Sequence, residues 1–176
     1  MPTTGRGYTY PASTGHTRIW EHLETLAEDI NDDVDDIANP AWTTYTPTWT
    51  GSLTNPVLGN GTLEGKWRQV DPLMVAVRIK LVPGSTTTFG SGNYKFALPV
   101  AAVSGGPHPL LQASALMGSS LYRFVGWVST VSGSATEVTV YRDNLTSEPL
   151  SGWTPTAPVT FANGHSFGMY GFYFSA

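Results

Sequence analysis

Cysteine is absent from the 176 residues. Neither a disulfide nor a thiolate metal centre can therefore brace the fold, which fits assembly in a reducing compartment. Charge is scarce too, with Lys, Arg, Asp and Glu making only 12% of the chain. No run approaches the ~18 apolar residues that a membrane-spanning helix needs, and the opening MPTTGRGYTYPASTG lacks the apolar centre of a secretory signal. The expectation is a soluble, unexported chain with no membrane role.

Present in quantity are 19 glycines, 13 prolines and 12% aromatic residues, a mixture that favours short strands joined by turns. The net charge of −4 is unevenly spread: eight of the 13 acidic residues lie between Glu21 and Asp36. From Pro40 onward seven Lys/Arg face five Asp/Glu. Such a balance offers no broad basic surface for phosphates, so nucleic acid is not an expected partner.

The stretch RIWEHLETLAEDINDDVDDIA reads as a helix capped by Thr14 or Thr17 and stopped at Asn39-Pro40, since proline disfavours helical geometry in the residue before it. Its apolar residues Ile19, Leu23, Leu26, Ile30, Val34 and Ile37 are spaced 4, 3, 4, 4 and 3 apart, a narrow stripe with one stutter in a coiled-coil rhythm. A helix of about 20 residues is marginal alone in water, and no second helical segment follows to cover the stripe. Either the chain's own β domain covers it or copies of the chain pair along it; the narrowness of the stripe favours self-association.

Beyond Pro40 the period changes to two. Strands are expected over 43–50, 62–70, 73–82, 93–99, 110–117, 121–130, 136–142 and 167–174. Eight short strands predict a mainly β domain, a jelly-roll-like β-sandwich. In LMVAVRIKLV the residues Leu73, Val75, Val77, Ile79 and Leu81 face one way, with Met74, Ala76, Arg78 and Lys80 the other. FGMYGFYF carries bulky residues on both faces with gaps at Gly168 and Gly171, so a second cover from a loop or neighbouring subunit is expected there. The predicted organisation is an extended docking arm over 1–15, a coiled-coil helix over 16–39 and a β-sandwich head over 40–176.

Candidates for chemistry mostly fail on spacing. NPVLGNGTLEGKWRQV suggests a phosphate cradle, but Asn60 stands where a Walker loop needs glycine and Trp67 where it needs a hydroxyl. Asn60-Gly61 reads instead as a hairpin turn. Asp29, Asn31 and Asp33 match the start of a calcium loop, whereas Val34 and Pro40 occupy its glycine and glutamate positions. Asp32, Asp33, Asp35 and Asp36 crowd the helix C-terminal end against its dipole, and a cation or a basic docking surface would compensate them. His16, His22, His108 and His165 have no metal-ligand spacing, and no metal or cofactor is expected. Glu64, Asp71, Glu137, Asp143 and Glu148 are the only carboxylates from which the β domain could build a glycosidase pair, so the chain is read as non-enzymatic. Among the aromatics Trp42, Tyr45, Trp49, Trp67, Trp127 and Trp153, the last, in SGWTPTAP, is expected to be exposed and to contact glycan.

The polar head GRGYTYPASTGHTRIWEHLETLAEDI, followed by WTTYTPTWTGSLTNPVLGNGTLEGKWRQVDPLMVAVRIKLVPGSTTTFGSGNYKFALP, resembles small virion proteins of tailed bacteriophages, especially those infecting actinobacteria. Such proteins are described as minor tail proteins, fibres, head fibres or decoration proteins. The resemblance spans most of residues 5–100. It implies a homotrimer, assembled in the host cytoplasm and located on the virion, whose N-terminal segment attaches to other capsid or tail proteins. The trimer axis would be Ile19, Leu23, Leu26, Ile30, Val34 and Ile37, with Tyr8, Tyr10 and Pro11 in the docking arm. The alternative function is recognition of host-surface carbohydrate by the head through Trp153.

Overall fold

The computed structural model describes residues 19–38, 41–106, 108–129, 135–142 and 149–176, with the backbone alone for residues 19–20 and 36–38. The docking-arm residues Tyr8, Tyr10 and Pro11, the cap candidates Thr14 and Thr17, and Asn39-Pro40 lie outside the described residues. Two compact units divide between Ala41 and Trp42.

Among the described residues the first unit contains one helix, α1 (Ile19–Ala38), over the segment whose apolar spacing predicted it. Leu23, Ile30 and Val34 are exposed on it and Leu26 is half-buried. The side chains of Ile19 and Ile37 lie outside the described residues. No basic residue stands in the last turn to offset the C-terminal dipole, as the sequence indicated. The segment around Asp29, Asn31 and Asp33 is continuous helix, so the calcium-loop geometry is excluded there.

Among its described residues the second unit is mainly β, with ten strands in one antiparallel sheet. They are β1 (Thr43–Tyr45), β2 (Trp49–Gly51), β3 (Thr62–Asp71), β4 (Met74–Val82), β5 (Tyr94–Ala97), β6 (Leu110–Met117), β7 (Ser120–Val128), β8 (Glu137–Arg142), β9 (Ser151–Gly152) and β10 (Ser166–Phe174). The order is β1-β3-β4-β10-β6-β7-β8-β5-β2, with β9 pairing β8. The eight expected strands are all present; the first is split and β9 is added.

That split closes the sheet. Nine strands at about 4.8 Å spacing would span roughly 38 Å if flat, yet the two edge strands β1 and β2 are separated by residues 46–48 alone. Four extended Cα steps from Tyr45 to Trp49 reach at most ~14 Å. The sheet must curl until its edges approach. The Tyr45 hydroxyl of β1 donates to Ala97 O of β5, the strand beside β2, at 3.4 Å, and Ala97 N donates to Thr48 O at 2.9 Å in the link between β1 and β2.

Alternation fills the curl. Along β4 Val75, Val77, Ile79 and Leu81 are buried while Arg78 and Lys80 are exposed. Along β6 the pattern is strictly exposed–buried, and Leu111, Ala113, Ala115 and Met117 point inward. Phe96 on β5 stacks on Phe167 on β10 at 5.4 Å, although three strands separate them in the ladder. Trp49, Tyr94, Phe124, Trp153 and Phe161 complete an aromatic core.

Two expectations need correcting. Asn60-Gly61 does not form a two-residue hairpin, because neither Asn60 nor Gly61 has positive φ and the left-handed position is Gly59 at φ 59°. The Asn60 side chain instead holds the loop before β5, bonding Ser85 Oγ at 3.1 Å and the Thr86 amide at 2.9 Å. Trp153 is not exposed but fully buried, at 0%. Its backbone bonds Val140 O and the Tyr94 amide, both at 2.9 Å, so residue 153 continues β9 as an extended segment between β8 and β5 with its indole turned into the core.

Candidate functional site

Outward-facing side chains of β3, β4 and β10 are set in rows by strand register. One row runs Lys66, Arg78, Tyr170, Gln112; the next runs Glu64, Lys80, Gly168, Ser114. A third places Arg68 opposite Ala76 and Ala76 opposite Phe172. Ala76 and Gly168 are the short positions among longer neighbours, and a Cβ on Gly168 would meet nothing within 4 Å. The consequence is a groove of about 730 Å³ whose walls include Lys66, Arg68, Arg78, Lys80, Tyr170 and Phe172.

Trp42, the first residue of the β unit, lies against two of these cations. Its ring centroid is 4.7 Å from Arg78 Cζ and 5.1 Å from Arg68 Cζ, within cation–π range. Of the nine Lys/Arg in the chain, four line this groove against one carboxylate, Glu64. Among the described residues the cations Lys66, Arg78 and Lys80 have no ion-pair partner. Tyr170 and Phe172 are 60% and 56% exposed. A positive, ring-bearing surface therefore lies on the outside of the sheet.

The Tyr170 hydroxyl donates to Gln112 Oε1 at 2.7 Å, forming a ridge. On its other side a second groove of about 680 Å³ runs over β6 and β7, with Leu110, Leu121, Val125 and Leu150 in its lining. The second face of FGMYGFYF thus carries exposed apolar residues, and no element among the described residues covers it.

The other candidates take structural places. Gly65-Lys66 sits within β3, not at a helix start. Asp71 accepts the Leu73 amide at 2.7 Å in the β3–β4 turn, and Glu137 pairs with Lys95 at 3.2 Å. Asp143 and Glu148 lie outside the described residues. His165 Nδ1 accepts the Ala162 amide at 3.1 Å, His108 packs edge-on to Trp127 at 6.0 Å, and His16 is outside the described residues. Among the described residues no group of three or more His, Asp or Glu could hold a metal ion, and no helix is long and apolar enough to cross a membrane.

Sequence reasoning named Arg78 and Lys80 as the polar face of one strand but did not join them to Trp42, Lys66, Tyr170 and Phe172. Only the pairing of β10 with β4 does that. No protein-family model, no curated protein and no solved structure matches this chain.

Proposed function

We propose that the chain is a non-enzymatic structural protein of a tailed-bacteriophage virion, a homotrimeric fibre or spike attached to capsid or tail proteins through its N-terminal segment. The observation that carries the reading is the stripe on α1: Leu23, Ile30 and Val34 are 54%, 46% and 54% exposed. Burying the exposed half of each such side chain gains roughly 0.8–1.5 kcal/mol, so a stripe of this kind favours association along a shared axis. Resemblance to small virion proteins supplies the number three and the location. The same proposal takes the head as a jelly-roll-like sandwich, supported by the stacking of Phe96 on Phe167 across the core.

Sedimentation equilibrium of the full chain tests the assembly. The expected mass is three times the 18.9 kDa of one chain, falling to one after Leu26→Asp. A monomer at high concentration overturns the trimer. Immunogold labelling of intact particles tests the location, and labelling absent from both capsid and tail overturns the virion assignment.

A further inference from the structure

We propose that the groove over β3, β4 and β10 is a binding site for a carboxylated sugar of an acidic polysaccharide. Three kinds of observation converge on that chemistry. Lys66, Arg78 and Lys80 are cations without ion-pair partners among the described residues, gathered on one face of a chain whose net charge is −4. Beside them, Tyr170 and Phe172 stand exposed on the strand that pairs with β4. Between them, Gly168 leaves open space at the floor.

Register fixes how these groups are juxtaposed. Arg78 and Tyr170 are directly opposed, and directly opposed residues carry their Cβ atoms about 4.5–5.5 Å apart. A cation thus stands next to an aromatic ring. A pyranose with an exocyclic carboxylate presents an apolar C–H face and, at its rim, a charge that Arg reads with two hydrogen bonds. The cation–π contact with Trp42 restrains the Arg78 guanidinium before any ligand arrives, which lowers the entropic cost of binding.

Other anions fit less well. β4, at the middle of the groove, is paired on one side with β3 and on the other with β10, so an extended acidic peptide finds no strand edge to join there. Four cations confined to one groove do not make the long basic track that a nucleic-acid backbone neutralises.

Calorimetric titration of the full chain tests the site, with tetragalacturonate as the probe and its methyl ester, polyglutamate and a single-stranded oligonucleotide as comparisons. Tetragalacturonate is expected to bind about ten-fold or more tightly than each of the three, and to weaken as salt is added. Arg78→Gln is expected to weaken it by about ten-fold, and Gly168→Leu, which fills the open floor, to abolish it. Because Arg78 also touches Trp42, Lys80→Gln serves as a second charge variant, and near-ultraviolet circular dichroism checks that each variant keeps the fold. The site is overturned if the ester, polyglutamate or oligonucleotide binds as well as tetragalacturonate, if none of them binds, or if folded Gly168→Leu binds like the unaltered chain. All groups involved lie in one chain, so this result is independent of whether copies associate along α1.

Discussion

The ring of Tyr45 lies across the strand pair on Gly65, in the space a side chain at Gly65 would need. The two are register partners in the β1–β3 ladder, and a Cβ built on Gly65 would collide with the Tyr45 ring. The hydroxyl of the same tyrosine reaches Ala97 O at 3.4 Å. One side chain on the edge strand β1 therefore covers a glycine of β3 and reaches β5, the strand beside the opposite edge. Gly65→Ala is expected to destabilise the β unit by about 1–3 kcal/mol, as overpacking does. Urea denaturation measures it, and Tyr45→Ala should make the same change cheaper in a double-mutant cycle.

Trp153 packs against Tyr94, Phe124, Phe161 and Phe167 at centroid distances of 4.8, 5.0, 5.0 and 4.7 Å. Trp153→Ala should cost about 3–5 kcal/mol through the cavity it leaves. Trp153→Phe should cost less, because the indole Nε1 is buried without a hydrogen-bond partner and phenylalanine removes that group. Thermal melts of the two variants rank them; equal melting of Trp153→Ala and the unaltered chain contradicts the core placement.

Alkaline pH should destabilise the β unit. Burial pushes the Tyr173 hydroxyl up to about 12, against the opposing effect of the hydrogen bond it accepts from the Val100 amide. Burial raises Tyr94 as well, and it raises Tyr45 with Tyr173 adding to the effect. An unfolded tyrosine gives up its proton near pH 10 while these folded ones keep theirs. Their stabilising contribution is whole below pH ~10 and falls as pH rises above that; for Tyr173 it is lost by about pH 12, and for Tyr45 and Tyr94 the fall continues beyond it. Urea midpoints between pH 8 and 11.5, roughly, should be flat and then fall, and Tyr94→Phe should soften the fall.

Asn60 is held to the loop before β5 by four short contacts: its amide to Thr86 Oγ1, its Oδ1 to the Thr86 amide and hydroxyl, and its Nδ2 to Ser85 Oγ. Asn60→Ala should cost about 1–2 kcal/mol in a thermal melt. Asn60→Gly, the change a tight two-residue turn would tolerate best, should be no milder. A neutral Asn60→Gly would restore the hairpin reading of Asn60-Gly61.

Local patterns carried far in this chain. The buried–exposed alternation of β4 and β6 and the 3-and-4 spacing on α1 are properties of neighbouring residues, and each element formed where its period placed it. Split of the 43–50 segment was less legible, since Thr46-Pro47-Thr48 breaks the ladder only because Tyr45 and Trp49 pair with strands at opposite ends of the sheet. Burial of Trp153 was opposite to what its loop-like neighbours suggested: SGWTPTAP is rich in turn formers, but residues 94 and 140 grip its backbone from both sides.

By itself the sequence determined that an acidic amphipathic helix precedes a β-rich region, because periodicity and charge are fixed along the chain whatever it later touches. Tertiary structure alone decided which outward faces meet. Arg78 and Tyr170 are 92 positions apart by their numbers, and they become neighbours because β10 inserts between β4 and β6. Pairing of distant strands is a choice made by the whole core, and the cationic, ring-lined groove exists only once that choice has been made.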